Sequence, residues 1–251
     1  MSLIEPFLIL LIAHLIGDFV LQTEQMALKK GHQLPWLTYH VFQLGAITWI
    51  LCWQWEVWPI VVVVFLTHLI FDSIKPRLPG SPLKWYLWDQ VGHLLILWFC
   101  AYWMIEYFGI RSMPLTTLVP FNVQVMIAAY LFMGRPVTVG VGLFLKPWRD
   151  EVLKADREIA GSPITELSSS GEWVGNLERF LTLTCVLADQ YLPIAGILIA
   201  KAILRYHPAP QNSHRTRMDY VLIGTFSSIG FAIAIGVLAR WVMDHIIFLS
   251  N

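Results

Sequence analysis

Cysteine is scarce in this chain. The three present, Cys52, Cys100 and Cys185, stand singly in apolar stretches, which excludes the close spacing of a zinc knuckle and the paired framework of a disulfide scaffold. An excess of either charge is also missing, with 17 Lys+Arg against 17 Asp+Glu. Without a basic surplus there is no electrostatic footprint for nucleic acid, and no nucleic-acid partner is expected. The N-terminus lacks the basic segment and small-residue cleavage site of a secretory signal, so its first apolar stretch is expected to persist as a helix. Charge of any kind makes up 14% of the 251 residues. What is there instead is apolar: 57% hydrophobic residues, twelve Trp and a mean hydropathy of +0.61, a composition that belongs in a lipid bilayer.

Windows of about 19 residues predict eight transmembrane helices, at 3–22, 36–54, 57–75, 87–109, 120–145, 173–190, 192–206 and 218–245. The fold class is therefore all-α, a polytopic transmembrane bundle. The fifth span contains Gly134, Arg135, Pro136, Gly140 and Gly142, which predicts a kink or a break. Lys29 and Lys30, then Lys75, Arg77 and Lys84, then Arg149, Lys154 and Arg157, then Arg205, Arg215 and Arg217 fall in alternate connections. The connections between them hold no Lys or Arg except Arg111. By the positive-inside rule the basic connections are cytoplasmic and both termini of this multi-pass chain lie on the opposite side of the membrane. Two halves are expected: residues 1–110 with four spans, and 111–251 with four more and a cytoplasmic amphipathic segment at about 147–171.

The chemistry concentrates in the first half. His14 and Asp18, His68 and Asp72, and Asp89 and His93 are imidazole/carboxylate pairs four residues apart, and on a helix positions i and i+4 share a face. With His40 they fall within about two turns of the cytoplasmic interface on four antiparallel spans. An Asp at mid-membrane costs on the order of 2.5–3.5 kcal/mol, and three carboxylates crowded among imidazoles repel one another unless a cation lies between them. The expected ligand set is His14, Asp18, His40, His68, Asp72, Asp89 and His93, for one or two divalent ions. Mixed His/Asp ligation without Cys suits Zn, Mn or Fe. A non-ligating carboxylate, Asp18 or Asp89, would serve as the catalytic base.

Blander readings stand beside this one. Each His or Asp could be a hydrogen-bonded helix-packing residue, or the group could be a proton or ion pathway of a transporter. The outward ends carry few ionisable groups, Glu5, Glu56 and Glu106, and a one-sided site suits an enzyme or sensor better than a carrier. A non-catalytic scaffold docking a soluble cytoplasmic partner is the other rival. Bis-imidazole haem ligation gives no reason for an Asp at each His+4 position.

The run Ala13-His14-Leu15-Ile16-Gly17-Asp18-Phe19-Val20-Leu21-Gln22, with Thr67-His68-Leu69-Ile70-Phe71-Asp72 and Asp89-Gln90-Val91-Gly92-His93, resembles a family of bacterial inner-membrane proteins described only as a domain of unknown function. The resemblance covers roughly residues 1–110. Its H-x-x-G-D and H-x-x-x-D pattern is more loosely similar to that of membrane-bound metal-dependent hydrolases, and implies a metal role for His14, Asp18, His68, Asp72, Asp89 and His93 without naming a substrate.

The second half contributes Glu178, Arg179, Lys201 and Arg205. Gly175-Asn176-Leu177-Glu178-Arg179 resembles a stretch in longer members of the same family. These charges are either interhelical pairs and snorkelling anchors or a clamp for a phosphate or carboxylate. Between Pro147 and Glu158 the spacing predicts a short interfacial helix, and 162–171 reads as loop. Taken together, the expected function is hydrolysis of an ester or phosphoester, with a lipid-linked or phosphorylated substrate reaching the membrane surface. Homo-oligomerisation is left open.

Overall fold

In the computed structural model the backbone is described for residues 2–110, 113–160, 170–204 and 211–250; within these, the side chains of 76, 156–160, 170, 172, 204, 211–217 and 246–250 are not. Every regular element among the described residues is helical. The helices are α1 (Ile4–Leu15), α2 (Glu24–Lys29), α3 (Leu34–Cys52), α4 (Trp58–Ile74), α5 (Pro82–Glu106), α6 (Pro114–Leu118), α7 (Phe121–Met133), α8 (Arg135–Phe144), α9 (Lys146–Ala160), α10 (Ser170–Leu187), α11 (Leu192–Leu204) and α12 (Gln211–Ser250). The loop expected at 162–171 lies outside the described residues up to 169.

Proline and capping residues set many of the starts. Pro35, Pro59, Pro82 and Pro114 each sit in the first two positions of a helix, where the missing N–H leaves no bond unmade. Thr23 caps α2 by accepting from the Met26 N–H at 3.2 Å, which satisfies one of the orphan donors of the first turn. Gly134 breaks the fifth expected span with φ −73° and ψ −122°, ending α7 before α8 begins at Arg135 and Pro136.

Two compact units result: residues 1–135 with 242–251, and residues 136–241. The first therefore extends beyond residue 110. In it α1 packs against α3, α5 and α7, and α4 against α3 and α5. Ile9, Leu10, Leu44, Ile60, Val64, Leu97 and Met104 form its apolar core. In the second unit α10 packs on α11, and Val186, Ile194 and Ile229 are buried together.

The first unit is inverted in polarity relative to a water-soluble bundle. His14, Asp18, His40, His68, Asp72 and His93 are buried, while Phe42, Leu66, Leu95 and Phe99 are exposed. Water drives the opposite sorting, whereas hydrocarbon charges nothing for an exposed Leu and heavily for an exposed Asp. Among the described residues three helical stretches, Trp55–Ile74, Phe121–Phe144 and Met218–His245, are long and apolar enough to cross a membrane, and Leu192–Ile203 is a shorter apolar helix. Exposed Trp53, Trp55 and Trp58 cluster where α3 turns into α4, the placement of an interfacial aromatic belt.

Candidate metal centre

α1 does not simply run on as an α-helix into the site. After Leu15 it widens into a π-helical turn over Ile16–Val20, in which the Leu21 N–H reaches back to the Ile16 carbonyl at 2.9 Å. The turn carries Asp18, and Gly17 within it lies against α3 so closely that a Cβ would stand 2.2 Å from Leu44 Cδ1. A side chain here would oblige the buried Leu44 to turn away. π turns are often found where a side chain must be re-aimed, and here Asp18 Oδ2 comes 3.6 Å from His14 Nδ1 and 3.8 Å from His68 Nε2.

His14, Asp18, His68 and His93, all buried, bring one donor atom each to within 4.8 Å of one another. His14 Nδ1 and His68 Nε2 are 3.4 Å apart. Three atoms separated by 3.4, 3.6 and 3.8 Å share a point about 2.1 Å from each, the bond length zinc makes to nitrogen and carboxylate oxygen.

The hydrogen bonds around the imidazoles decide which nitrogens carry protons. His68 Nδ1 is 2.9 Å from the Val64 carbonyl, which only accepts, so Nδ1 holds the hydrogen and Nε2 the lone pair. Gln90 Nε2 donates to Asp89 Oδ2 at 3.1 Å, so Gln90 Oε1 faces His14 Nε2, 3.3 Å away, and accepts its hydrogen. His14 Nδ1 is then the lone-pair nitrogen. Two lone pairs thus face each other across 3.4 Å, make no hydrogen bond and repel unless a proton or a metal cation stands between them. His93 adds a third: neither of its ring nitrogens has a hydrogen-bond partner among the described residues. One shared proton could satisfy the first two but not all three. An ion with several coordination positions fits the set.

The remaining three expected ligands lie one step outward. Asp89 Oδ1 is 3.8 Å from His93 Nδ1, while Asp89 Oδ2 accepts from Lys75 Nζ at 2.6 Å. Asp72 turns away from its i−4 neighbour His68 and takes Lys30 Nζ at 2.9 Å and His40 Nε2 at 3.4 Å. His40 Nε2 is also 3.2 Å from Asp18 Oδ1. The charges therefore match in part without any metal: Lys30 with Asp72, Lys75 with Asp89. Asp18, the carboxylate among the imidazoles, is the one that no lysine meets at salt-bridge distance among the described residues. Lys30, Lys75 and Gln90 were read from the sequence only as loop charges or not assigned. Gln90 stands inside the Asp89–His93 stretch and could have been found there; nothing local marks the two lysines.

In the second unit Lys201 donates to Glu178 Oε2. The buried Arg179 donates to Ser228 Oγ at 2.9 Å, to Thr138 Oγ1 and to Asn176 Oδ1. These are interhelical ties of α8, α10, α11 and α12. Arg205 lies outside the described residues. At the exposed end of α10, Asp189 accepts from Arg240.

Residues 7–130 match the model of a family described as "Protein of unknown function (DUF3307)". The matched segment contains every residue of the cluster, and Lys30, Lys75 and Gln90 with it. No curated protein and no solved structure matches the chain.

Proposed function

We propose that this is an integral membrane enzyme, a metal-dependent hydrolase of an ester or phosphoester, with one divalent ion held by His14, Asp18, His68 and His93. The observation that carries the reading is the convergence of lone-pair nitrogens from α1, α4 and α5 on the one carboxylate of the cluster that no lysine meets at salt-bridge distance among the described residues. Imidazole with carboxylate suits Zn, Mn or Fe. When bound, such an ion acts as a Lewis acid and lowers the pKa of a water.

The chain's own groups supply the rest. Val64 and Gln90 hold the rings of His68 and His14 in their tautomers, the usual task of outer partners in such centres. Asp89 Oδ1, buried and without a hydrogen-bond partner among the described residues, accepts the proton of the attacking water, while Lys75 and Gln90 keep its other oxygen in place. Asp18, placed among the donors, holds the ion. Glu178, Arg179 and Lys201 act in helix packing rather than as a substrate clamp.

With all eight apolar stretches read as spans and the basic connections inward, the centre faces the cytoplasm of a bacterial cell, where a lipid-linked or phosphorylated substrate reaches it from the membrane surface. A chain of titratable groups also suits a proton-coupled carrier; the apolar cluster of Ile9, Leu10, Leu44, Ile60, Val64 and Leu97 favours the one-sided reading. The test is metal content by mass spectrometry of the purified full-length protein. One equivalent is expected, lost in His14→Ala and in His68→Ala; wild-type protein without stoichiometric metal ends the proposal. Asp89→Asn should keep its metal and lose about 10²–10⁴-fold of any activity on bis(p-nitrophenyl) phosphate.

A further inference from the structure

We propose that the ammonium of Lys30 fills a second cation position in this centre, so that a site with the donors of a two-metal centre works with one metal ion and one lysine. The inference rests on the reading that His14, Asp18, His68 and His93 hold a metal. It begins with the two oxygens of Asp18. Oδ2 faces His14 and His68, whereas Oδ1 faces His40 Nε2 at 3.2 Å. A carboxylate turned both ways is what bridges two ions about 3.5–4 Å apart in a dinuclear centre.

The second position has its own donors: Asp18 Oδ1, His40 Nε2 and Asp72 Oδ2, with His40 Nε2 at 3.2 and 3.4 Å from the two oxygens. Such separations are close to those between neighbouring ligands on one ion with bonds of about 2.0–2.2 Å. His40 and Asp72 are both buried. Lys30 Nζ meets two of the three, at 2.9 Å from Asp72 Oδ2 and 3.0 Å from His40 Nε2, and stands beyond salt-bridge distance of Asp18. An ammonium has three donors and no acceptor, so toward Lys30 His40 Nε2 can present only a lone pair, as it would to a metal. Toward the carboxylate oxygens of Asp18 and Asp72, at 3.2 and 3.4 Å, it can present only a hydrogen, so lysine and carboxylates compete for this nitrogen.

Delivery of the lysine is a matter of backbone. Lys30 directly follows α2, the six-residue helix capped by Thr23, and its N–H bonds to the Met26 carbonyl at 2.9 Å. Lys75 takes no similar place: it binds Asp89 from the other side and is about one-third exposed. The lysine excludes a second ion both by volume and by charge, contributing +1 where a divalent ion would contribute +2.

The experiment counts metal in full-length, detergent-purified protein loaded with Mn, and records its paramagnetic resonance spectrum. Wild type and Lys30→Arg are expected to hold one equivalent with an uncoupled spectrum. Lys30→Ala and Lys30→Ser are expected to hold two, with the exchange-coupled spectrum of a dinuclear centre, and Lys30→Ala with His40→Ala should return to one. Two equivalents in wild type, or one in folded Lys30→Ala and Lys30→Ser, overturns the lysine's role and leaves the metal reading intact. Wild type without metal removes both.

Discussion

Gln90 shows how much a single neutral side chain can decide. Its amide nitrogen is committed to Asp89, so its oxygen faces His14 and fixes which ring nitrogen of His14 keeps a free lone pair. Gln90→Leu frees the His14 ring to change tautomer and removes a partner of Asp89 while leaving every proposed ligand in place. Metal affinity should fall about 10–100-fold, the usual cost of losing an outer-shell partner, as measured by competition with a chromophoric chelator. Unchanged affinity would mean that Gln90 does not set the tautomer. The four imidazoles and three carboxylates were legible in the sequence because a histidine or aspartate in an apolar run stands out energetically. Lys30 and Lys75 were not, because a lysine beside a helix end reads equally well as a topology signal; only the fold turns it inward.

Elements decide which of the equally spaced pairs remain pairs. The i,i+4 rule assumes α-geometry, and it holds for Asp89 and His93 on α5 at 3.8 Å. His14 and Asp18 stay 3.6 Å apart although Asp18 rides on a π turn, and Asp72 is drawn off α4's partner His68 by α2 and α3. Close helix approach is the other property of this scale. A Cβ on Gly236 of α12 would stand 2.6 Å from Cγ1 and 2.8 Å from Cβ of Val186 on α10, whereas one on Gly230 meets nothing within 4 Å. Valine is stiff about χ1, so Gly236→Ala must push the helices apart. It should cost about 1–3 kcal/mol, seen as a lower thermal unfolding midpoint in detergent, while Gly230→Ala serves as the matched control with little change. Equal midpoints for the two variants would deny that α10 and α12 depend on this contact.

On the scale of the whole molecule, the buried acids and exposed Phe and Leu are the mark of a chain whose solvent is hydrocarbon. If the basic connections lie inside the cell, a phosphatase reporter fused at the C-terminus should be active and a fluorescent one dark, and insertions at the Pro79-Gly80 turn should give the reverse. The opposite pattern would place the metal centre on the outer face. By itself, the sequence determined the helical class, the break at Gly134 and the polar residues that needed company, because hydropathy, glycine and proline act locally and an ionisable group in lipid declares itself wherever it is. Tertiary structure alone decided which side chains meet: the convergence of His14, Asp18, His68 and His93, the diversion of Asp72 to Lys30 and the tautomers set by Gln90 and Val64. Those depend on distances of 3–4 Å between helices far apart in the chain, which no residue spacing specifies.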